Sequence, residues 1–458
     1  MNVRQGNTRW LQSVGVVLFA LLGQAVLQAQ VPDTAWTKTF GGVNPDAGLS
    51  VQQTADCGYI ITGWTHSYSA GAADVYVIKT DGNGDTIWTR HYGGVLDDQG
   101  LAIQQTADSG YVIAGWTASF GANDRDVYLI RMDAYGDTLW TGICGNLGRD
   151  QGCAVVLIAN GEFVVAGSYD WWSQEDAALM RVASGGWPIW WHRYGGSEFD
   201  IGYAVQATSD GGYIVAGETR SFGPGTPDNP NLYLIKTNFA GDTTWTKVHG
   251  RLQSEIGYAV EETSTQGYII AGTCADTLNG SCILLLKTDE HGDTIWVRKY
   301  WGLGQANGYA VVETADQGYL VAGESNSDMY LIKVNQSGDS LWAQALGDSG
   351  YDEGRAIERT MDDGFIIVGS TWSAANDRDV WLVKIEPDTF GIVEQEISSP
   401  KQDVPVATIM CGSLPWMGNE EYRIYDITGR QIHTHNPAPG IYFVEVDGEI
   451  RSKVILIN

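Results

Sequence analysis

Several groups of residues in this chain have the types and spacing to do chemistry. Trp171-Trp172, Trp187 and Trp190-Trp191 crowd one short stretch. Trp171, Trp172 and Trp187 stand where turns are expected. An exposed indole there can stack on a sugar ring or anchor a protein partner, so these three are the candidate ligand-binding residues; packing between neighbouring elements is the alternative. Trp64, Trp116 and Trp372 sit just after the G-Y strand in three copies and could rim one face. Asp81-Gly82-Asn83-Gly84-Asp85 alternates oxygen side chains like the opening of a calcium loop, which makes Asp81, Asn83 and Asp85 the candidate ligands and calcium the one cofactor hinted at. No Glu follows seven residues after Asp85, and the related turns Asp133–Asp137, Asn238–Asp242 and Asp289–Asp293 lose the alternation, as plain hairpin turns would. An acidic residue two positions before a Gly recurs at Asp46, Asp98, Asp150, Asp200, Glu255 and Asp352. Such carboxylates could ring a channel and hold a cation, or each could accept N–H bonds and fix its own turn. The acid pairs Glu175-Asp176 and Asp352-Glu353 would suit a hydrolase or lyase if two carboxyls shared a pocket. Gly347-Asp348-Ser349-Gly350 copies a serine-protease motif, but no His/Asp context accompanies it, and none of the seven histidines forms H-E-x-x-H. No residue earns a catalytic assignment.

A repeat positions these residues. W-T-K/R-x-x-G-G, a D-x-G loop, a short apolar run, T-x-D-x-G-Y-I-I-A-G and D-V-Y-L-I-K recur in order. The tryptophan landmark falls at Trp36, Trp88, Trp140, Trp190, Trp245, Trp296 and Trp342; the aromatic of the G-Y run falls at Tyr59, Tyr111, Phe163, Tyr213, Tyr268, Tyr319 and Phe365. Both series step by 52, 52, 50, 55, 51 and 46 residues. Each copy holds four strand-like runs, such as Leu49–Gln53, Tyr59–Trp64, Val75–Lys79 and Thr86–Arg90, joined by Gly/Asp turns. Four antiparallel strands per copy of about 50 residues describe a β-propeller blade, with a linear β-solenoid as the alternative. The first tryptophan run, Ala35–Phe40, precedes any other strand of its copy, and the last copy lacks one. The expectation is an all-β, seven-bladed β-propeller over residues 31–387, closed by an N-terminal strand. The copies resemble the D-G-G-Y-I-x-A-G repeats of secreted bacterial proteins, a likeness that speaks to fold rather than activity.

Composition narrows the partners. The chain has 458 residues, 27 Lys+Arg against 55 Asp+Glu, and a formal charge of −28. So acidic a chain repels phosphate backbones, which argues against nucleic acid. Residues 1–29 read as a signal peptide: Arg4 and Arg9, an apolar run from Val14 to Leu27, then Ala29. No other stretch reads as a transmembrane segment. Export permits disulfides. Spacing allows Cys274–Cys282 and Cys144–Cys153, and suggests no partner for Cys57 or Cys411.

After Pro387 the repeat stops. Residues 388–405 read as a linker. Residues 406–458 then carry three strand runs with Gly turns, expected to form a small C-terminal β-sandwich module. The run Tyr422-Arg423-Ile424-Tyr425-Asp426-Ile427-Thr428-Gly429-Arg430, then Pro439-Gly440-Ile441-Tyr442-Phe443 and Lys453-Val454-Ile455-Leu456, resembles the C-terminal sorting module of type IX secretion. Its segment between Arg430 and Pro439 is short, and the Asn-Pro near the module's start is absent. The resemblance implies that Tyr425, Asp426, Thr428, Gly429, Arg430, Pro439, Gly440, Tyr442 and Lys453 form a sorting signal read by outer-membrane secretion machinery, with the product released or held at the outer cell surface. These readings combine into a secreted or surface-displayed non-catalytic binding or adhesion scaffold whose ligand is a glycan or another surface protein. The alternatives are a carbohydrate-active hydrolase or lyase on a propeller, and a purely structural envelope protein.

Overall fold

The computed structural model describes residues 31–387, apart from residue 70 and the short stretches 122–123, 146–147, 171–173, 225–227, 251–252, 277–279, 348–349 and 373–377; beyond them it describes the backbone of segments 407–411, 422–426, 431–432, 440–446 and 449–457.

Seven four-stranded antiparallel sheets follow one another. In blade 1 the strands a to d are Asp46–Gln53, Tyr59–Thr65, Asp74–Thr80 and Thr86–Tyr92. Strand a begins at Asp46, ahead of the apolar run, because the strand extends through the buried turn acid. The a strands touch one another around a ring, and blade 7 (Glu353–Arg359, Phe365–Trp372, Arg378–Ile385) meets blade 1 in the same way. That contact makes the array a seven-bladed propeller and removes the solenoid alternative. Thr34–Phe40 lies antiparallel on Arg378–Ile385 as the fourth strand of the last sheet. A 3₁₀ turn at Ala159–Gly161 is the one helical element among the described residues.

Burial follows position in the blade. Strands b and c of blade 2, Tyr111–Thr117 and Asp126–Met132, are buried at every residue, sandwiched between neighbouring blades. Strand d of blade 1 alternates between exposed and half-buried, as an outer edge should. The cores lie between blades: Ile366, Val368, Val380 and Leu382 of blade 7 pack on Tyr59, Ile61, Tyr76 and Ile78 of blade 1. The landmark tryptophans pack on the aromatic of the next blade, as Trp36 does on Tyr59 at 5.8 Å, Trp88 on Tyr111 at 6.0 Å and Trp296 on Tyr319 at 6.1 Å. The two sequence series march in step because they are the two halves of one contact.

The T-x-D-x-G turn has a partner far along the blade. In blade 4 the Thr208 hydroxyl, the Gly212 N–H and the Lys236 ammonium all donate to Asp210. Burial alone would raise that carboxyl; these donors outweigh it and hold it at about 2. Lys79–Asp56, Arg131–Asp108, Lys333–Asp316 and Lys384–Asp362 repeat the latch. Blade 5 breaks it: Thr265 replaces the acid, and Lys287 bonds only Thr263 Oγ1 and the carbonyls of Gln266 and Thr288.

Cys274 and Cys282 form a disulfide across the b–c hairpin of blade 5. Cys57 is also disulfide-bonded. Cys144 and Cys153 are free thiols, so the second local pairing is not made. They lie in different blades, on an outer d strand and an inner a strand. In the C-terminal segments, Ala407–Cys411, Glu449–Ile457, Gly440–Val446, Tyr422–Asp426 and Gln431–Ile432 pair in that order as a single five-stranded sheet, with Ala407–Cys411 parallel to Glu449–Ile457.

Candidate functional site at the channel mouth

Every a strand carries a β-bulge just after the Gly that recurs in all seven copies. The close approach of strand b requires glycine on that side: a Cβ on Gly217 would sit 1.8 Å from the Ile201 carbonyl oxygen. The extra residue of the bulge is unpaired in the ladder and re-aims its side chain. Those seven residues are Leu49, Leu101, Cys153, Tyr203, Tyr258, Tyr309 and Arg355. Three of them contact one another across blades, with ring centroids 5.1 Å apart for Tyr203–Tyr258 and 5.6 Å for Tyr258–Tyr309; the Arg355 guanidinium lies 4.0 Å over the Tyr309 ring. Only the inner strands meet there, so these side chains line the central channel. The channel has a greasy side at blades 1 and 2 and a tyrosine staircase ending in arginine at blades 4 to 7.

Acids surround the staircase at the end bearing the b–c loops and the blade-to-blade connections. Glu324 accepts from Asn307 Nδ2 at 2.6 Å, from Tyr309 Oη at 3.0 Å and from Tyr351 Oη. Glu353 accepts from Ser370 Oγ at 3.0 Å and ion-pairs with Arg355 at 2.6 Å and with Arg378. Glu218 lies 3.6 Å from Arg220, and burial raises its carboxyl above the ordinary value. Burial also raises Glu175, which bonds Ser168. The Cys153 thiol is pushed up to about 12 by burial and then by Glu175, so it is no nucleophile. In blades 1 and 2 the positions of Glu218 and Glu324 are held by Trp64 and Trp116, with Arg378 5.4 Å from the first ring and Arg125 3.9 Å from the second. Trp372 is 37% exposed on the same rim. The mouth therefore has an indole–arginine half and a carboxylate–tyrosine half.

The sequence-marked residues sort differently. Trp171 and Trp172 lie outside the described residues. Trp187, 68% exposed, sits in the c–d turn of blade 3, at the far end of strand Glu175–Val182 from the b–c loop. It therefore faces the opposite end of the propeller from the channel mouth. The acid pairs separate because strand neighbours face opposite ways: Glu175 bonds Ser168 while Asp176 meets Arg193 at 3.3 Å, and Glu353 enters the channel network while Asp352 is buried beside Gly347. Three of the recurrent turn acids bind their own loops, while Glu255 pairs with Lys299 at 3.0 Å. Asp46 accepts from Gly42 N–H at 3.0 Å and Ser67 Oγ at 2.7 Å; Asp98 and Asp200 repeat this with Gly94 and Ser119, and with Gly196 and Ser221. Asp81 Oδ1 accepts the N–H groups of Asn83 and Asp85, and Asp85 pairs with Lys38 at 2.6 Å. No group of three or more His, Cys, Asp or Glu poised for a metal occurs among the described residues. Asp348 and Ser349 lie outside them, as do Thr428, Gly429, Arg430 and Pro439; Tyr425, Asp426, Gly440, Tyr442 and Lys453 fall on strand segments. The tyrosine staircase escaped sequence reading. Its one signal was the residue after D-x-G, which changes from Leu in the first two copies to Tyr in copies four to six.

The fold defines an all-β, seven-bladed propeller. No family model matches the chain. The regulatory protein FlaEY of Caulobacter vibrioides is 25% identical over 194 residues, 40% of this chain and 19% of that protein, so the chain spans about a fifth of its curated relative. Among solved structures, the Pan2 WD40 domain of Neurospora crassa superposes with a TM-score of 0.50 at 9% identity, covering 77% of this chain and 96% of that one, a likeness of fold alone. The extracellular domain of the putative hybrid two-component system BT4673 of B. thetaiotaomicron gives 0.46 at 9% identity over 93% of this chain and 60% of that one. No helix among the described residues is long and apolar enough to cross a membrane.

Proposed function

We propose that this protein is a non-catalytic binding scaffold of the cell exterior that holds a surface-protein partner at its channel mouth. The observation that carries the reading is the broken symmetry of seven equivalent channel positions. A purely structural ring has no need to place Tyr203, Tyr258 and Tyr309 together, with Glu218 and Glu324 beside them, while leaving Leu49 and Leu101 opposite. Aromatic rings next to carboxylates suit a protruding Lys or Arg side chain, and the chain's charge of −28 favours a basic partner. The glycan alternative rests on Trp171 and Trp172. Residues 1–29 serve as the export leader, residues 406–458 as the sorting module, and Thr34–Phe40 as the strand that fastens the ring. The sequence patterns at both ends support the first two roles, and the pairing of Thr34–Phe40 with Arg378–Ile385 supports the third.

The test is a peptide array probed with the full chain at low and high salt, beside a glycan array with and without calcium. Retention of basic peptides that weakens with salt, and that falls in Tyr258→Ala and Glu218→Gln proteins of native circular dichroism, upholds the reading. Retention untouched by both substitutions, or capture of glycans alone, overturns it.

A further inference from the structure

A pocket of about 240 Å³ opens between blades 4 and 5 on the face opposite the channel mouth. It is bounded by the a–b turns at Ser209-Asp210 and Gln266-Gly267, the c–d turn at Glu290-His291 and the start of the outer strand at Thr244-Trp245. We propose that this pocket binds one hydroxyl-rich sugar ring.

Three observations lead there. The first is the lining. Trp245 and Tyr268, with ring centroids 6.0 Å apart, supply an aromatic wall. Glu262, Glu290 and Asp210 supply acceptors, and Thr244 and His291 supply donors, while the Ser209 hydroxyl and the Lys236 ammonium are already bonded to Glu262 and Asp210. A sugar presents an apolar C–H face and a rim of hydroxyls that both donate and accept, so it uses every part of such a lining. A simple organic cation would leave the donors unmatched, and Lys236 beside Asp210 already answers part of the acid.

The second is size. At about 240 Å³ the pocket has room for one ring with its hydroxyls.

The third is broken symmetry. The position of Thr244 holds Ile87, Leu139, Ile189, Ile295 and Leu341 in five of the six sibling strands, each a bulkier apolar side chain at the same seam; the sixth, Ala35, is small but carries no hydroxyl. The turn positions of Glu290-His291 hold Gly82-Asn83, Ala134-Tyr135, Phe239-Ala240 and Gln336-Ser337 in siblings, so blade 5 alone of these turns brings a carboxylate and an imidazole together. Their side chains are 62% and 72% exposed, 3.7 Å apart, and reach over the opening. The rest of the lining is held from behind: Glu262 accepts from Ser209 N–H at 2.7 Å and Ser209 Oγ at 2.8 Å, which fixes its carboxylate at the pocket floor with lone pairs to spare.

The experiment is saturation-transfer NMR of the full chain against a panel of monosaccharides, with trimethylammonium and lysine as cationic controls, followed by titration monitored by tryptophan fluorescence. The expected result is transfer to the C–H face of one sugar class, with binding about tenfold weaker in Thr244→Ile, which installs the side chain its siblings carry and so keeps the fold. Glu290→Gln should weaken binding in the same direction, and the mouth substitution Tyr258→Ala should leave it unchanged, which separates this pocket from the channel reading. No transfer to any sugar at millimolar concentration, transfer to the cations alone, or native-strength binding by Thr244→Ile overturns the proposal.

Discussion

The inner strands are tied by a belt in which, in five of the seven blades, one side chain accepts an N–H of the next blade; the equivalent positions in blades 3 and 6 are Val156 and Val312. Gln52 accepts from Gln105 N–H at 2.6 Å, and Gln104 accepts from Leu157 N–H at 3.0 Å. Gln206 does the same for Glu262. Two belt positions carry glutamate instead: Glu261 accepts from Glu313 N–H at 2.8 Å, and Glu358 accepts from Gln53 N–H across the seam between blades 7 and 1. Burial is the main cause that lifts both carboxyls from 4.5 to about 7, against the lowering by their own N–H bonds. The folded protein therefore holds protons that the unfolded chain releases between about pH 4.5 and 7, so each glutamate makes stability fall as pH rises through that window. Below it the penalty vanishes; above it the penalty is complete. A shift of about 2.5 units corresponds to about 3 kcal/mol at most, and solvent relaxation reduces it to about 1–3 kcal/mol per site. Glu261→Gln and Glu358→Gln keep the acceptor and remove the charge, as the Gln siblings already do. Each should raise unfolding free energy by that amount at pH 8 and by almost nothing at pH 4.5, measured by urea titration at the two values. The pair should be close to additive, since the sites lie in blades 5 and 7. A gain of equal size at both pH values, or no gain at pH 8, would refute the reasoning, because only a charge penalty is pH-dependent in this way.

Blade 5 offers a second charge test. Burial lowers Lys287 to about 8, so the folded state is penalised below that pH and relieved as pH rises towards 10.5; Thr265→Asp should restore the latch, raise the lysine's pKa and add about 1–2 kcal/mol at pH 7, a gain that shrinks above pH 8 in the same titration. Replacing Cys274 and Cys282 together by Ala should cost about 2.5 kcal/mol by the loop-entropy relation for a separation of 8 residues, read as a lower denaturation midpoint without change of slope. Deleting Thr34–Phe40 should leave Arg378–Ile385 as a bare edge; the expected outcome is loss of the monomer peak in light-scattering chromatography, and an unchanged monomer would remove that strand from the closure.

The sequence by itself determined everything that repeats. A turn or strand depends on residues a few places apart, so the seven landmark tryptophans, the Gly/Asp hairpins and the turn-fixing role of Asp46 and its kin were legible from local spacing. The partnership of the tryptophan and G-Y series was half legible: the matched steps were visible, the contact of Trp36 with Tyr59 was not. Only the tertiary structure decided what faces what. Tyr203, Tyr258 and Tyr309 stand 55 and 51 residues apart and meet because ring closure turns seven bulges towards one axis. Trp187 is close in sequence to the b–c connection of blade 3, yet the eight-residue strand Glu175–Val182 sets its turn at the far end of that strand. Cys144 and Cys153 are close in sequence and remain thiols, because the chain between them crosses from the outer edge of one blade to the inner strand of the next. Spacing along a chain encodes local geometry; the sharing of a channel or a seam is a property of the closed ring.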